Sequence, residues 1–241
     1  MKQRRTAAGV AGQTEFTFDY EPEIVTELGI EWLVQWLEES IRAGSRFTAG
    51  QTIGLGWLNC YVIERADGTL GLCEPDFVNV PPILAEGPTL AVTHLWNQRE
   101  VADSFGLGAE LDVPHYVQYA VTCEAFHDAD TVVMHRYEHD EDESGWFIGC
   151  LGEAHDHDDD TLRSATLYEL AVANRAIVGY LGLPQGCTVF VSDGPPEVLR
   201  DGEPLEPEPG SLIATMFGGG IEVLEAIQVD EWDSEGFDNR P

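Results

Sequence analysis

Two apolar runs on either side of an acidic turn are the strongest constraint on the fold of this chain. The run T-V-V-M-H-R-Y precedes Glu138, and the run G-W-F-I-G-C-L follows Ser144. Short apolar runs that flank a polar turn are typical of paired strands. The sequence therefore predicts an antiparallel hairpin closed by an acidic turn over residues 138–144.

Helix and strand patterns elsewhere do not alternate regularly. Ile30, Leu33 and Leu37 recur at helical spacing and predict a helix over residues 21–43. Asp67-Gly68 lies between two apolar runs and predicts a second hairpin, because glycine accepts the positive φ of such a turn. This irregular order favours an α+β fold with antiparallel sheets and a few packed helices.

The remaining patterns give an outline of the chain. An apolar face at helical spacing predicts a helix over residues 165–181, which Ser164 or Thr166 can cap at its start. The run S-L-I-A-T-M-F predicts a last strand over 211–217. Composition then suggests four regions: a disordered leader (1–14), an N-terminal α+β region (15–112), a second α+β domain (113–227) and an acidic tail (228–241).

The charge of the chain limits its partners. The 241 residues include 44 Asp and Glu against 12 Lys and Arg, for a net charge of −32. Phosphate and anionic lipid repel such a chain, which argues against nucleic-acid and membrane partners. No signal segment is recognisable, and we expect a cytoplasmic protein. Three interpretations of the acidity stay open. The charge is a solubility adaptation of the surface, it attracts a basic partner protein, or it imitates a nucleic acid.

Residues 135–160 hold the densest group of candidate ligands, with ten carboxylates and four histidines. His135, His139, His155 and His157 are candidate metal ligands, because imidazole and carboxylate bind zinc, nickel or manganese. The alternative is a hydrophilic loop without a metal. The five cysteines are widely spaced and form no C-x-x-C pair, so we interpret them as buried thiols and predict no cofactor.

An aromatic residue beside the acidic turn suggests protein recognition. Trp146 can supply desolvated contact area, while neighbouring carboxylates steer a cationic partner. The alternative is that Trp146 belongs to the core, since the run that it begins is apolar throughout. The predicted partner-binding residues are Asp140, Glu141, Asp142, Glu143, Trp146 and Glu153.

Several short motifs in the second half resemble one domain family. The quoted residues are Arg136, Ser144-Gly145-Trp146, Gly152-Glu153, Leu167-Tyr168-Glu169-Leu170-Ala171 and Tyr180-Leu181-Gly182-Leu183-Pro184-Gln185-Gly186. They resemble immunity protein family thirty-three of bacterial polymorphic-toxin systems. This sequence differs from the family pattern in Glu143, where aspartate is usual, and in Phe147, where a basic residue often follows the tryptophan.

The resemblance implies that residues 113–227 form an immunity-protein-like domain. It implies a non-enzymatic protein that neutralises a toxin by direct binding, and it carries over no catalytic residues. Two other hypotheses stay open. One is a metal-binding or hydrolytic protein that uses residues 135–160, and the other is a housekeeping protein whose acidity is only a surface adaptation.

Overall fold

The computed structural model describes residues 1–140, 143–151, 157 and 161–217. These residues form an α+β fold, as the sequence predicted. The strands are β1 (Lys2–Arg5), β2 (Thr17–Tyr20), β3 (Thr52–Leu55), β4 (Leu58–Glu64), β5 (Leu70–Pro75), β6 (Leu84–Glu86), β7 (Tyr119–Cys123), β8 (Val132–Arg136), β9 (Trp146–Cys150), β10 (Leu162–Thr166), β11 (Cys187–Val191), β12 (Glu197–Arg200) and β13 (Glu203–Leu205). The helices are α1 (Glu27–Arg42), α2 (Thr89–Ser104), α3 (Leu167–Ala173) and α4 (Leu212–Phe217), with 3-10 helices at Val10–Gly12, Gly108–Glu110, Glu124–Asp128 and Arg175–Tyr180.

A seven-stranded mixed sheet organises the second half, in the order β10-β7-β9-β8-β11-β12-β13. Strands β7 and β9 are parallel, and the other neighbours are antiparallel. Strands β8 and β9 form the predicted hairpin, with Arg136 opposite Trp146. The acidic turn therefore extends from one end of this sheet.

The first half contains a four-stranded antiparallel sheet in the order β3-β4-β5-β6 and the two-stranded sheet β1-β2. The hairpin predicted at Asp67-Gly68 is confirmed by the pairing of β4 with β5, and Gly68 has a φ of +79°. Helix α1 is also confirmed, although it begins at Glu27. The hydroxyl of Thr26 caps it by accepting from the backbone N–H of Gly29.

The leader that we expected to be disordered contains strand β1, which pairs with β2 from Lys2↔Tyr20 to Arg5↔Thr17. Its basic side chains lie against acidic groups of the body. Lys2 pairs with Glu27, and Arg5 lies 3.0 Å from Asp67. The polar composition of residues 1–14 does not reveal these partners. Pairing with β2 and the nearby acidic side chains both favour an ordered strand.

The helix predicted over residues 165–181 is interrupted. Asn174 adopts φ −144° and ψ 103°, which ends α3 after Ala173. The Asn174 side chain then accepts from the N–H of Ala176 and starts a 3-10 helix. The start of α3 follows the predicted capping, since Thr166 and Glu169 form a capping box.

The strand predicted over residues 211–217 is wrong, because this run forms helix α4. Ser211 accepts from the N–H of Ala214 at the start of the helix. Ile213 is buried, and its N–H donates to the hydroxyl of Ser104 on α2. A short apolar run fits a strand or a buried helix equally well by periodicity, and here packing against α2 selects the helix.

The two halves share one cluster of buried apolar side chains. Polar contacts also join them: the Tyr168 hydroxyl donates to the carbonyl of Asn79 at 2.8 Å, and Arg175 donates to the carbonyl of Phe77 at 2.9 Å. The second half therefore packs directly on the first. Across the described ranges, no helix is long and apolar enough to cross a membrane.

Candidate partner-binding site

Ser144 and Gly145 fix the end of the acidic turn. The Ser144 hydroxyl donates to the carbonyl of Tyr119 at 2.5 Å and accepts from the N–H of Trp146 at 3.2 Å. Gly145 has a φ of +66°, and a Cβ there would lie 2.8 Å from the carbonyl oxygen of Tyr137 and 2.6 Å from His139 Cδ2. Glycine is required at this position by both conformation and space.

Trp146 is a core residue. Only 2% of it is exposed, and its indole N–H donates to the carbonyl of Leu181 at 3.1 Å. The Arg136 guanidinium lies over the ring, 5.3 Å from its centroid. Trp146 therefore does not offer the exposed contact area that we predicted, because its apolar strand packs into the core.

Beside the tryptophan, Asp112, Arg136 and His139 form a polar cluster. Asp112 Oδ2 lies 3.0 Å from both Arg136 Nη2 and His139 Nε2. Partial burial opposes ionisation of Asp112, but the hydrogen bonds and charge of Arg136 and His139 outweigh it and lower the pKa of Asp112. Burial lowers the pKa of the Arg136 guanidinium, which stays cationic. Arg136 Nε and Nη1 are buried without a hydrogen-bond partner among the described residues.

The described carboxylates of the acidic turn point outward. Glu138, Asp140 and Glu143 are exposed. The described backbone on either side of residues 141–142 is nevertheless held, because the N–H of Glu143 donates to the carbonyl of Asp140 at 3.1 Å and the Gln118 amide donates to the carbonyl of Glu143 at 3.2 Å. Three other predicted site residues lie outside the described residues: Glu141, Asp142 and Glu153.

An exposed apolar group beside the acidic turn was missed by the sequence analysis. Tyr119 is 63% exposed and Val117 is 50% exposed. The carbonyl of Tyr119 accepts the hydrogen bond from Ser144, so this tyrosine lies next to the turn. The signal was present in the alternation of β7, where Ala120 and Thr122 are buried and Tyr119 falls on the opposite face.

On the other side of the hairpin lies a pocket of about 280 Å³, whose lining includes His135, Tyr137, Glu138 and Asp201. The His135 ring packs edge-on against Tyr137 with centroids 4.2 Å apart, and His135 Nδ1 lies 2.8 Å from the Thr188 hydroxyl oxygen. Burial lowers the pKa of His135 against the opposing charge of Asp201. The pocket therefore combines two carboxylates with an aromatic wall, while Arg136 also lines it and Arg200 Nε lies 3.5 Å from Asp201 Oδ2.

Residues 97–201, which include most of this arrangement, match the family model of the Imm33-like domain. No curated protein and no solved structure matches the chain.

The match begins at residue 97, within α2. Helix α2 belongs with it structurally, since the Gln98 amide donates to the carbonyl of Val178 at 3.2 Å. The match ends at Asp201, in the turn between β12 and β13. The acidic turn and the polar cluster lie inside these limits, as does the pocket lining except for Gly202.

The candidate metal ligands that the structure describes, His135, His139 and His157, are not brought together as one group. His135 contacts Thr188, and His139 contacts Asp112. His157 lies elsewhere, with its Nε2 3.7 Å from the sulfur of Cys150. His155 lies outside the described residues. Among the described histidines, only His157 takes part in a cluster of potential metal ligands.

Proposed function

We propose that this chain is an immunity protein that neutralises a toxin by binding it, and that the acidic turn is part of the docking surface. The observation that carries the proposal is the position of the turn. It lies within the Imm33-like domain, projects exposed carboxylates and is held by Ser144, Gly145 and Trp146. A preordered surface loses less conformational entropy when it binds.

The chemistry of the surface favours a basic protein partner. Glu138, Asp140 and Glu143 supply negative charge, and Tyr119 and Val117 supply exposed apolar area beside it. Carboxylates around an aromatic contact speed association with a cationic protein, while the aromatic group contributes to the lifetime of the complex. Tyr119 takes the role of anchor that the sequence analysis had given to Trp146.

The pocket extends this surface. Glu138 belongs both to the acidic turn and to the pocket wall, and Asp201 faces it from the turn between β12 and β13. A lysine or arginine side chain of a partner fits a concave site with two carboxylates and the Tyr137 ring. We therefore expect a basic side chain of the toxin to enter here.

Co-expression with the toxin-like protein encoded by an adjacent gene tests the proposal. The unaltered chain should restore growth of cells that produce the toxin. The triple variant Glu138→Lys, Asp140→Lys and Glu143→Lys should lose that protection, because it replaces an attractive surface with a repulsive one. Failure of the unaltered chain to restore growth would contradict the immunity function.

A matched control separates a local effect from one of net charge. Glu23, Glu39 and Glu64 are exposed, lie in the first half, and have no ion pair in the described part of the chain. Their replacement by lysine makes the same change in total charge and should leave rescue intact. If both triple variants fail equally, then the acidic turn is not the specific docking site.

A further inference from the structure

Cys123, Cys150 and His157 converge at one end of the seven-stranded sheet. Their ligand atoms all lie within 4.8 Å of one another. The sulfur of Cys150 lies 3.7 Å from His157 Nε2, and the N–H of Cys150 donates to the sulfur of Cys123 at 3.4 Å. Neither the acidic turn nor the pocket includes any of these three residues.

The topology of the sheet produces this convergence. Cys123 ends β7 and Cys150 ends β9, and these strands are parallel neighbours, so both thiols lie at the same end of the sheet. The chain then passes through His157 to reach β10, which pairs with β7 from Leu162↔Cys123. His157, which lies between β9 and β10 in the sequence, is therefore placed at the same end of the sheet as the two thiols.

We propose that Cys123, Cys150 and His157 bind a zinc ion. Two thiolates and an imidazole form a zinc ligand set, with bond lengths of about 2.3 Å to sulfur and about 2.0–2.1 Å to nitrogen. Tetrahedral geometry at those bond lengths separates sulfur from nitrogen by about 3.6 Å. The observed 3.7 Å between Cys150 Sγ and His157 Nε2 matches this separation. Among the described residues these three are the protein ligands that converge, and the fourth position of the tetrahedron lies outside this set.

The surroundings of the site suit a bound ion. Cys123 and Cys150 are buried, while His157 is half-buried and gives access from the solvent. The ring of buried Phe147 packs edge-on against the His157 ring, with centroids 5.8 Å apart, and orients the imidazole. A Cβ at Gly149 would lie 2.6 Å from Phe147 Cζ and 3.5 Å from the Cys123 sulfur, so glycine keeps this space clear.

The ion would bind the acidic segment between β9 and β10, residues 151–161, to the sheet. Residues 151–161 carry five carboxylates, which repel one another. A divalent cation held by His157 offsets that repulsion and joins the connection to β7 and β9. Its role is structural, and it does not depend on whether the chain binds a toxin.

Elemental analysis of the full chain tests the site. The protein is expressed with added zinc and purified without an affinity tag, under reducing conditions and without chelator. We expect one zinc ion per chain. His157→Ala should abolish binding while leaving the fold intact, since this side chain lies in a connection, and Cys123→Ala and Cys150→Ala should abolish it as well. Cobalt in place of zinc should show a thiolate-to-cobalt charge-transfer band that is lost in the same variants.

Two matched controls define the outcome. Cys73→Ser alters a half-buried thiol of the first half, and His127→Ala alters an exposed histidine close to Cys123 in sequence. Both should keep the zinc. Metal-free protein, zinc that survives His157→Ala, zinc lost from either control, or Cys123 and Cys150 joined as a disulfide in the isolated protein would each overturn the proposal.

Discussion

Arg136 and Trp146 are opposite each other on β8 and β9, and the Arg136 guanidinium lies 5.3 Å from the centroid of the Trp146 ring. Both side chains are buried. The same guanidinium donates to Asp112, which lies at the surface with 45% of its side chain exposed. This pair therefore connects the core of the hairpin to the polar cluster beside the acidic turn.

Removal of Asp112 should cost more stability than an apolar replacement of Arg136. Asp112→Ala leaves a buried guanidinium without its counterion, which we expect to cost about 2 kcal/mol, since water reaches the exposed side of the pair. Arg136→Met keeps most of the side-chain volume and removes two buried donors without partners, for a cost of about 1 kcal/mol. Urea unfolding measures both, with Asp128→Ala as an exposed control. A larger loss for Arg136→Met would contradict this order.

Gly145 should be the least replaceable residue of the acidic turn region. Gly145→Ala combines a positive φ with the close approach of Tyr137 and His139, and we expect a loss of about 2–3 kcal/mol. Gly202 also has a positive φ, +83°, but a Cβ there meets nothing within 4 Å. Gly202→Ala should therefore cost only about 1 kcal/mol. Equal losses of stability for the two variants in thermal unfolding would mean that the close contacts of Gly145 with Tyr137 and His139 add no cost.

Glu74 should make stability depend on pH. Burial raises the pKa of Glu74 to about 7, against the hydrogen bonds that it accepts from the backbone of Leu90 and Ala91. The native state then binds a proton that the unfolded state has released, so the contribution of Glu74 is full below about pH 4.5 and is lost as pH rises to about 7. The loss is about 3 kcal/mol over that range.

Unfolding free energies at pH 5 and pH 8 measure this effect. The free energy of unfolding of the unaltered chain, minus that of Glu74→Gln, should change between about pH 4.5 and pH 7 and become constant above pH 7, because glutamine does not titrate. Other carboxylates contribute equally to both proteins and cancel in the difference. An unchanged difference between pH 5 and pH 8 would show that Glu74 titrates normally.

Tyr119 should affect binding without affecting the fold. The side chain is 63% exposed, so Tyr119→Ala should alter the free energy of unfolding by less than about 0.5 kcal/mol. Its loss from a toxin interface should weaken affinity by about 2 kcal/mol, as expected for an aromatic anchor. Leu28→Ala, at a 67% exposed position of α1, is the control and should keep full affinity. Full affinity in Tyr119→Ala would remove this residue from the interface.

Local patterns predicted the elements whose signals are themselves local. The β8–β9 hairpin, the turn at Asp67-Gly68 and the capped start of α3 follow from turn chemistry, apolar runs and a capping motif. The failures depend on distant partners. Strand β1 depends on β2 and on acidic side chains of the body, and α4 depends on packing against α2.

Only part of the candidate site was predicted, because the rest depends on contacts with residues that are distant in the sequence. The charge of Asp140 and Glu143 and the family motif are visible in the sequence. The orientation of Trp146 toward the core is set by its pairing with Arg136 and by the carbonyl of Leu181. The convergence of Cys123 with His157 results from a parallel pairing of β7 and β9, which no short-range pattern reveals.

Calorimetric titration of the purified chain with the purified toxin-like protein of the adjacent gene tests the central claim most directly. Binding of the unaltered chain should weaken as salt is raised, and the Glu138→Lys, Asp140→Lys, Glu143→Lys variant should bind at least about tenfold more weakly at low salt. The Glu23→Lys, Glu39→Lys, Glu64→Lys control should bind like the unaltered chain. The absence of a complex with the unaltered chain, or equal affinity for all three proteins, would contradict the account.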